Sequence, residues 1–323
     1  MAVKRRIMKR CTCEETQLGA AMSEFIYEKE AANLAARTIG SYKQSVRLFC
    51  EFHEFEAETL VNDITVEYFY DWIKALKKRG VKPTTINHYL RDCRTFFYWC
   101  MEKKYITEPY QITMIKYQDE GLKFFSEKDI ALLLQKPSKN ADFPEWRMWA
   151  IVNWMMATGN RAATVCEVRV GDIDYQAKEI TLRHTKNKKA QIIPLSPSLE
   201  AALREYCKIW RAYSEEEDYL FPNVADEAWT SDGLRQAFVR YTKKRGVSRH
   251  NPHGLRHSFG RGWVKNQGNV FMLQKMLGHS TLDMTKRYVA LFSDDLKEDY
   301  EIYSPLDTMK KGSKHTYTVK RHP

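Results

Sequence analysis

Apolar residues in this chain recur at helical spacing along most of its length and alternate only in one short stretch. That contrast limits the fold more than any other feature. Between Glu14 and Glu108 there are three such stripes: Tyr42, Val46, Phe49 and Cys50; Tyr68, Phe69, Trp72, Ile73 and Leu76; and Tyr89, Cys93, Phe96 and Phe97. Residues three and four apart share one face of a helix, so each stripe predicts a helix with one buried side. Thr38 and Thr84 stand where N-caps are expected, Pro83 precedes the second, and Gly80 fits a helix stop. A small all-helical domain is predicted over residues 14–108.

Residues 109–123 carry no strong pattern and read as a linker. Ser126-Glu127-Lys128-Asp129 then supplies a capping-box signal ahead of Ile130, Leu132, Leu133 and Leu134. The run from Trp146 to Met156 is strongly apolar, so Trp146, Trp149 and Trp154 are expected to pack in a core rather than to stack on bases. The alternating stretch comes next, in Asp172–Asp174, Glu179–Thr185 and Ala190–Leu195, with a polar turn at Lys186–Lys189. Helical spacing resumes at Ser198 and continues to about Tyr303. The expected fold is mainly α with a small β-sheet (α+β), its second domain spanning residues 124–303. Basic segments flank the two domains, at 1–13 and at 304–323; Lys310 to Pro323 holds five Lys or Arg and no acid.

With 323 residues and 43% hydrophobic content, the chain can bury two cores. Its formal charge of +11 favours a polyanionic partner. Nucleic acid comes first, because neutralisation of phosphates by Lys and Arg supplies most non-specific affinity; a membrane surface is the weaker alternative. No apolar run approaches the ~20 residues of a transmembrane helix. Met1 to Arg10 is basic without a following apolar segment, unlike a secretory signal. Seven cysteines, odd in number and irregularly spaced, read as reduced thiols, and Cys11-Thr12-Cys13 lacks the second ligand pair of a structural zinc site. These features together predict a cytoplasmic, nucleoid-associated protein that does not engage membranes.

The chemistry concentrates in the last third. His253-Gly254-Leu255-Arg256-His257 is followed by Leu277-Gly278-His279 and then by Tyr288 within Thr285-Lys286-Arg287-Tyr288-Val289. Upstream lie Arg161, in Ala157-Thr158-Gly159-Asn160-Arg161, and Lys186, in His184-Thr185-Lys186-Asn187-Lys188. No carboxylate cluster accompanies them. A phenol has an ordinary pKa near ~10 and is a poor nucleophile at neutral pH. Two arginines would neutralise a phosphodiester by gripping its non-bridging oxygens. His253 and His279 could donate to those oxygens or accept the phenolic proton, and residue types alone leave both roles open. A lysine on a turn suits protonation of the leaving oxygen. Gly278 is expected to close one helix, and Ser280 with Asp283 to cap the next, which carries Tyr288.

In this order and spacing, with Tyr288 nine residues after His279, the motifs resemble the tyrosine recombinase (phage integrase) family. The likeness is specific over Phe124–Leu291 and general over Glu14–Glu108. It implies a helical core-binding, SAM-like domain and a catalytic domain that close as a clamp around duplex DNA. The catalytic set would be Arg161, Lys186, His253, Arg256, His279 and Tyr288, with Tyr288 as nucleophile. Attack would leave a 3′-phosphotyrosyl link that stores the bond energy, so no cofactor and no metal is expected. Candidate DNA contacts are Lys43, Arg91, Arg94, Arg183 and Lys188. Implied partners are double-stranded DNA, three further copies of the chain in a homo-tetramer on two DNA sites, and accessory DNA-bending or directionality proteins. The chain departs from many members three positions after the first arginine, where Thr164 replaces an acidic residue; Glu167 lies one turn later.

The favoured expectation is the integrase or transposase of a mobile element, with a Xer-like resolvase of chromosome or plasmid multimers as the alternative. A type IB topoisomerase shares the tyrosine chemistry, but the helical N-terminal half and the Leu-Gly-His motif fit recombinases better. A non-catalytic DNA-binding regulator would not need the six-residue set. A zinc hydrolase on His253, His257 and His279 would want a carboxylate at ligand spacing, and none is there.

Overall fold

The structure is a computed structural model and describes residues 15–118, 121–183 and 190–289. It falls into two compact units that divide between residues 120 and 121.

The first unit is four helices: α1 (Leu18–Ala31), α2 (Ala36–His53), α3 (Val66–Lys78) and α4 (Pro83–Glu102). Its core is aromatic. Phe49 stacks on Phe69 at 4.4 Å between ring centroids and meets Trp72 and Phe97 edge-on at 5.3 and 5.6 Å. A polar clip joins α2 to α4, where buried Asp92 accepts hydrogen bonds from Ser41 (2.6 Å) and Ser45 (2.8 Å). Two helix starts lie earlier than the threonines suggest. The N-cap of α2 is Ala35, so Thr38 sits inside the first turn; that of α4 is Lys82, with Pro83 at the first helical position. Proline's fixed φ and missing N–H favour that position and shift the start upstream of Thr84. Gly80, at φ +71°, follows α3 and its N–H donates to the carbonyl of Lys77.

The segment read as a linker packs in part on this first core. Ile112 is buried there with Tyr110, Met114 and Ile115 against it, and Asn87 exchanges two 2.9 Å hydrogen bonds with the backbone of Ile115. Leu122 and Phe124 instead pack on the core of the second unit.

That second unit opens with α5 (Glu127–Leu134), and the capping box forms: Ser126 Oγ accepts from the Asp129 N–H at 3.0 Å while Asp129 accepts from the Ser126 N–H. Next comes α6 (Phe143–Thr158), buried on nearly every side, with Trp146, Trp149 and Trp154 in the core. After α7 (Ala162–Cys166) the strands β1 (Ile173–Asp174), β2 (Glu179–Leu182) and β3 (Gln191–Pro194) pair antiparallel in sequence order. The register sets Ile180 opposite both Ile173 and Ile193 and turns all three into the core. The remaining helices are α8 (Pro197–Trp210), α9 (Ser231–Lys244), α10 (His253–Lys265), α11 (Val270–Leu277) and α12 (Asp283–Val289). The N-cap of α8 is Ser196, whose side chain accepts from the Leu199 N–H. Ser280 does not cap α12; that helix begins at Asp283, and Leu282 in the cap position accepts from the N–H groups of Thr285 and Lys286. The expected helical stretch beyond Val289 lies outside the described residues.

Candidate active site

Three chain turns bring the predicted residues of the second unit together. The first is the end of α6, where Gly159 adopts φ +63° in the left-handed region that disfavours side chains. A Cβ there would also stand 2.5 Å from the Phe259 ring and 2.7 Å from Leu277. Glycine is thus required twice over. Just beyond, Asn160 accepts a 2.9 Å hydrogen bond from the indole of buried Trp154, and Arg161 becomes the N-cap of α7.

The second is the start of α10. His253, Arg256, His257 and Gly260 recur at helical spacing, so they share one face. Arg256 is 2% exposed, and its guanidinium donates to the carbonyls of Gly159 (2.8 Å) and Leu277 (2.7 Å). The third is the turn after α11, where Gly278 at φ +60° closes the helix and His279 follows it. His279 is 8% exposed, and its Nδ1 lies 2.9 Å from the Thr285 hydroxyl.

Tyr288, on α12, is 2% exposed and lies against α10. Gly260 makes that approach possible, since a Cβ there would fall 2.6 Å from the tyrosine ring. The ring runs nearly parallel to that of His279, at 6.4 Å and 9°. Its hydroxyl is 2.9 Å from His257 Nδ1.

The electrostatics are one-sided. Among the described residues no carboxylate pairs with Arg161 or Arg256. Burial pushes the Arg256 guanidinium down to about 10, with Arg161 adding repulsion, and burial also lowers Arg161. Both stay protonated at neutral pH, so the fold holds two cations together without a counter-ion. Burial, then Arg256 and Arg161, push His279 down to about 4; burial, then His253 and Arg256, do the same to His257. His253 shifts down for similar reasons. The imidazoles are therefore neutral near pH 7 and able to accept. Burial raises the Tyr288 phenol above its ordinary value, and Arg256, Arg287 and Arg161 offset only part of that rise. Two guanidiniums without a carboxylate partner thus stand beside neutral imidazoles and a sheltered phenol, an arrangement chemically able to receive an anion.

A model described as the phage integrase family matches residues 123–294, more than half of the chain, and one for the phage integrase N-terminal SAM-like domain matches residues 25–104. The chain belongs to the phage integrase family. Its members are tyrosine recombinases, enzymes that cleave and rejoin DNA strands. Similar relatives include tyrosine recombinase XerC of Bacillus subtilis (strain 168), 26% identical over 285 residues covering 84% of this chain and 92% of that protein. Tyrosine recombinase XerD of Chlamydia trachomatis serovar D is 24% identical over 277 residues, covering 84% and 90%. Among solved structures, the Tn1549 transposon integrase in complex with transposon right end DNA shares the fold, with a TM-score of 0.71 at 18% identity, covering 84% of this chain and 94% of that one.

Of the six residues that the integrase resemblance singles out, Arg161, His253, Arg256, His279 and Tyr288 gather at this one site. Lys186 lies outside the described residues, as do Lys188, Cys11 and Cys13. The other expected DNA contacts are dispersed. Lys43 and Arg91 are exposed on α2 and α4, and Arg94 sits over the Tyr98 ring at 5.1 Å. Arg183 is occupied by carboxylates, with Nε 2.5 Å from Asp172 and a terminal nitrogen 3.0 Å from Glu217. Glu167, the acid nearest the missing family carboxylate, is exposed at the end of α7. His257 is the residue of this site that was not selected from sequence. Its signal was the four-residue spacing from His253, which sets both rings on one helix face. Among the described residues, no helix is long and apolar enough to cross a membrane.

Proposed function

We propose that this integrase-family chain breaks DNA by attack of the Tyr288 hydroxyl on a phosphodiester held between Arg161 and Arg256. The pair of arginines without a carboxylate, Arg256 buried and Arg161 half-buried, carries this reading, because a phosphate would supply the missing charge and take up both guanidinium forks. His253 and His279, neutral at the working pH, would hydrogen-bond the non-bridging oxygens. Lys186 would protonate the leaving 5′-oxygen, and the 3′-phosphotyrosyl link would later be reversed by an incoming 5′-hydroxyl. Lys43, Arg91 and Arg94 would grip the duplex from the first domain, and four copies would act on two sites in the cytoplasm. A covalent protein–DNA band that vanishes in Tyr288→Phe tests the assignment; a band that persists refutes it.

For the biological role, the Xer-like alternative is now the better supported, ahead of the mobile-element expectation. Both XerC and XerD align over nine-tenths of their own length, so this chain matches them as whole two-domain proteins. The likeness to a transposon integrase concerns the fold alone. We therefore propose resolution of chromosome or plasmid multimers. Sequencing DNA trapped covalently on the protein in its host separates the two. One fixed chromosomal or plasmid site is expected, whereas element ends joined to varied flanks would restore the mobile-element reading.

A further inference from the structure

His257 is the side chain that touches the phenolic oxygen of Tyr288, with Nδ1 2.9 Å from Oη. The contact joins α10 to α12. Three rings confine the imidazole: His253 packs edge-on at 4.6 Å, Phe124 edge-on at 6.4 Å, and the Tyr288 ring lies 5.9 Å away. A ring held on these sides presents the same nitrogen to the phenol. The charged and titratable groups around it are His253 and Arg256 on its own helix, Arg287 and Tyr288 on α12, and His279 on the turn between α11 and α12. Among these described residues none is a carboxylate, so none of them stabilises an imidazolium before substrate arrives. His253 and His279 have no such contact with the hydroxyl; His279 commits its Nδ1 to Thr285.

We propose that His257 is the proton acceptor for Tyr288 in strand cleavage, an inference that rests on Tyr288 being the nucleophile. In that step the Oη–P bond forms, the P–O5′ bond breaks, and the phenolic proton passes to Nδ1 of His257. The O5′ oxygen leaves with a proton from an acid of the site or from water. The imidazolium returns its proton to Oη when a 5′-hydroxyl attacks the phosphotyrosine. Burial holds His257 neutral first, and His253 and Arg256 add repulsion; a bound phosphodiester favours the transfer because its charge offsets Arg256. General-base help of this kind is worth on the order of 10²–10⁴ in rate.

The probe is a duplex trapped by the protein in its host, nicked beside the mapped cleavage position. His257→Ala and His257→Gln are compared with the intact protein in single-turnover adduct formation and in duplex affinity. Glutamine keeps a hydrogen-bond acceptor but cannot take a proton, and it guards against an alanine variant that fails to fold. Both variants should cleave about 10²-fold more slowly near neutral pH with affinity within about twofold. Their rates should climb about tenfold per pH unit above neutrality, as ionisation of the phenol replaces the lost base. A 5′-bridging phosphorothiolate, whose leaving thiolate needs no proton, should not restore them. Cleavage at or above the wild-type rate overturns the proposal, as does a slower rate with the wild-type pH profile or one rescued by the phosphorothiolate. An adduct from Tyr288→Phe would instead remove the nucleophile assignment itself.

Discussion

The guanidinium of Arg256 donates to the carbonyl of Gly159 at 2.8 Å, tying the face of α10 to the turn that presents Arg161 two residues later. The two cations are therefore not independent. Whatever fixes the end of α6 also fixes the spacing between them, and a shift of either would change the fit to both phosphate oxygens.

Arg256→Ala should lower the rate of covalent adduct formation by about 10²–10³, the usual effect of removing one donor that faces developing charge. Duplex affinity should fall far less. Arg256→Lys should rescue poorly, because a single ammonium cannot span the carbonyls of Gly159 and Leu277 and also grip a phosphate. Parallel losses in filter binding and in cleavage would show that Arg256 serves affinity alone.

Gly260→Ala should uncouple cleavage from binding. The added methyl would stand 2.6 Å from the Tyr288 ring, so α12 must shift away from the site. Helix propensity favours alanine by about 1 kcal/mol, so any loss of cleavage cannot be laid to a weaker α10. Circular dichroism and a nicked-site assay on the same preparation check this: helicity should persist while adduct formation falls at least about tenfold.

Acid should weaken the folded state through the buried imidazoles. His279 has a folded pKa of about 4 against an ordinary value of ~6.5, so the fold favours its neutral form. Its contribution is complete above about pH 6.5 and is lost as pH falls towards about 4, where the unfolded chain binds a proton that the folded one refuses. The loss from this one group is on the order of 3 kcal/mol. Urea midpoints at neutral and mildly acidic pH should diverge, and less so in His279→Gln. An identical divergence in that variant would place the titration elsewhere.

Truncation before Asp294 tests assembly. Leu296, Tyr300 and Tyr303 stand at helical spacing and resemble the C-terminal helix by which integrases dock on a neighbouring copy; they lie outside the described residues. Binding of one copy to one site should survive, while sedimentation on DNA should show loss of the proposed tetramer, since a head-to-tail ring would depend on every contact. Unchanged tetramer and strand exchange after truncation would assign the segment to its own domain.

Sequence alone determined the helical class and the single β section, and the resemblance of its motifs to the integrase family implied that Arg161, His253, Arg256, His279 and Tyr288 share one site. Local signals suffice for these, because periodicity follows from helix and strand geometry and the motifs carry their own order. Helix starts were legible only to within a few residues: proline at the first position of α4 outranked Thr84 as the determinant. The tertiary structure decided what depends on packing across distant segments. It set Arg256 on the carbonyls of Gly159 and Leu277, gave Gly260 its purpose beside Tyr288, turned Arg183 to Asp172 and Glu217, and placed His257 on the phenol. Such contacts join residues as many as 97 positions apart, and no spacing rule within one helix reports which side chains a folded core will bring within hydrogen-bond reach.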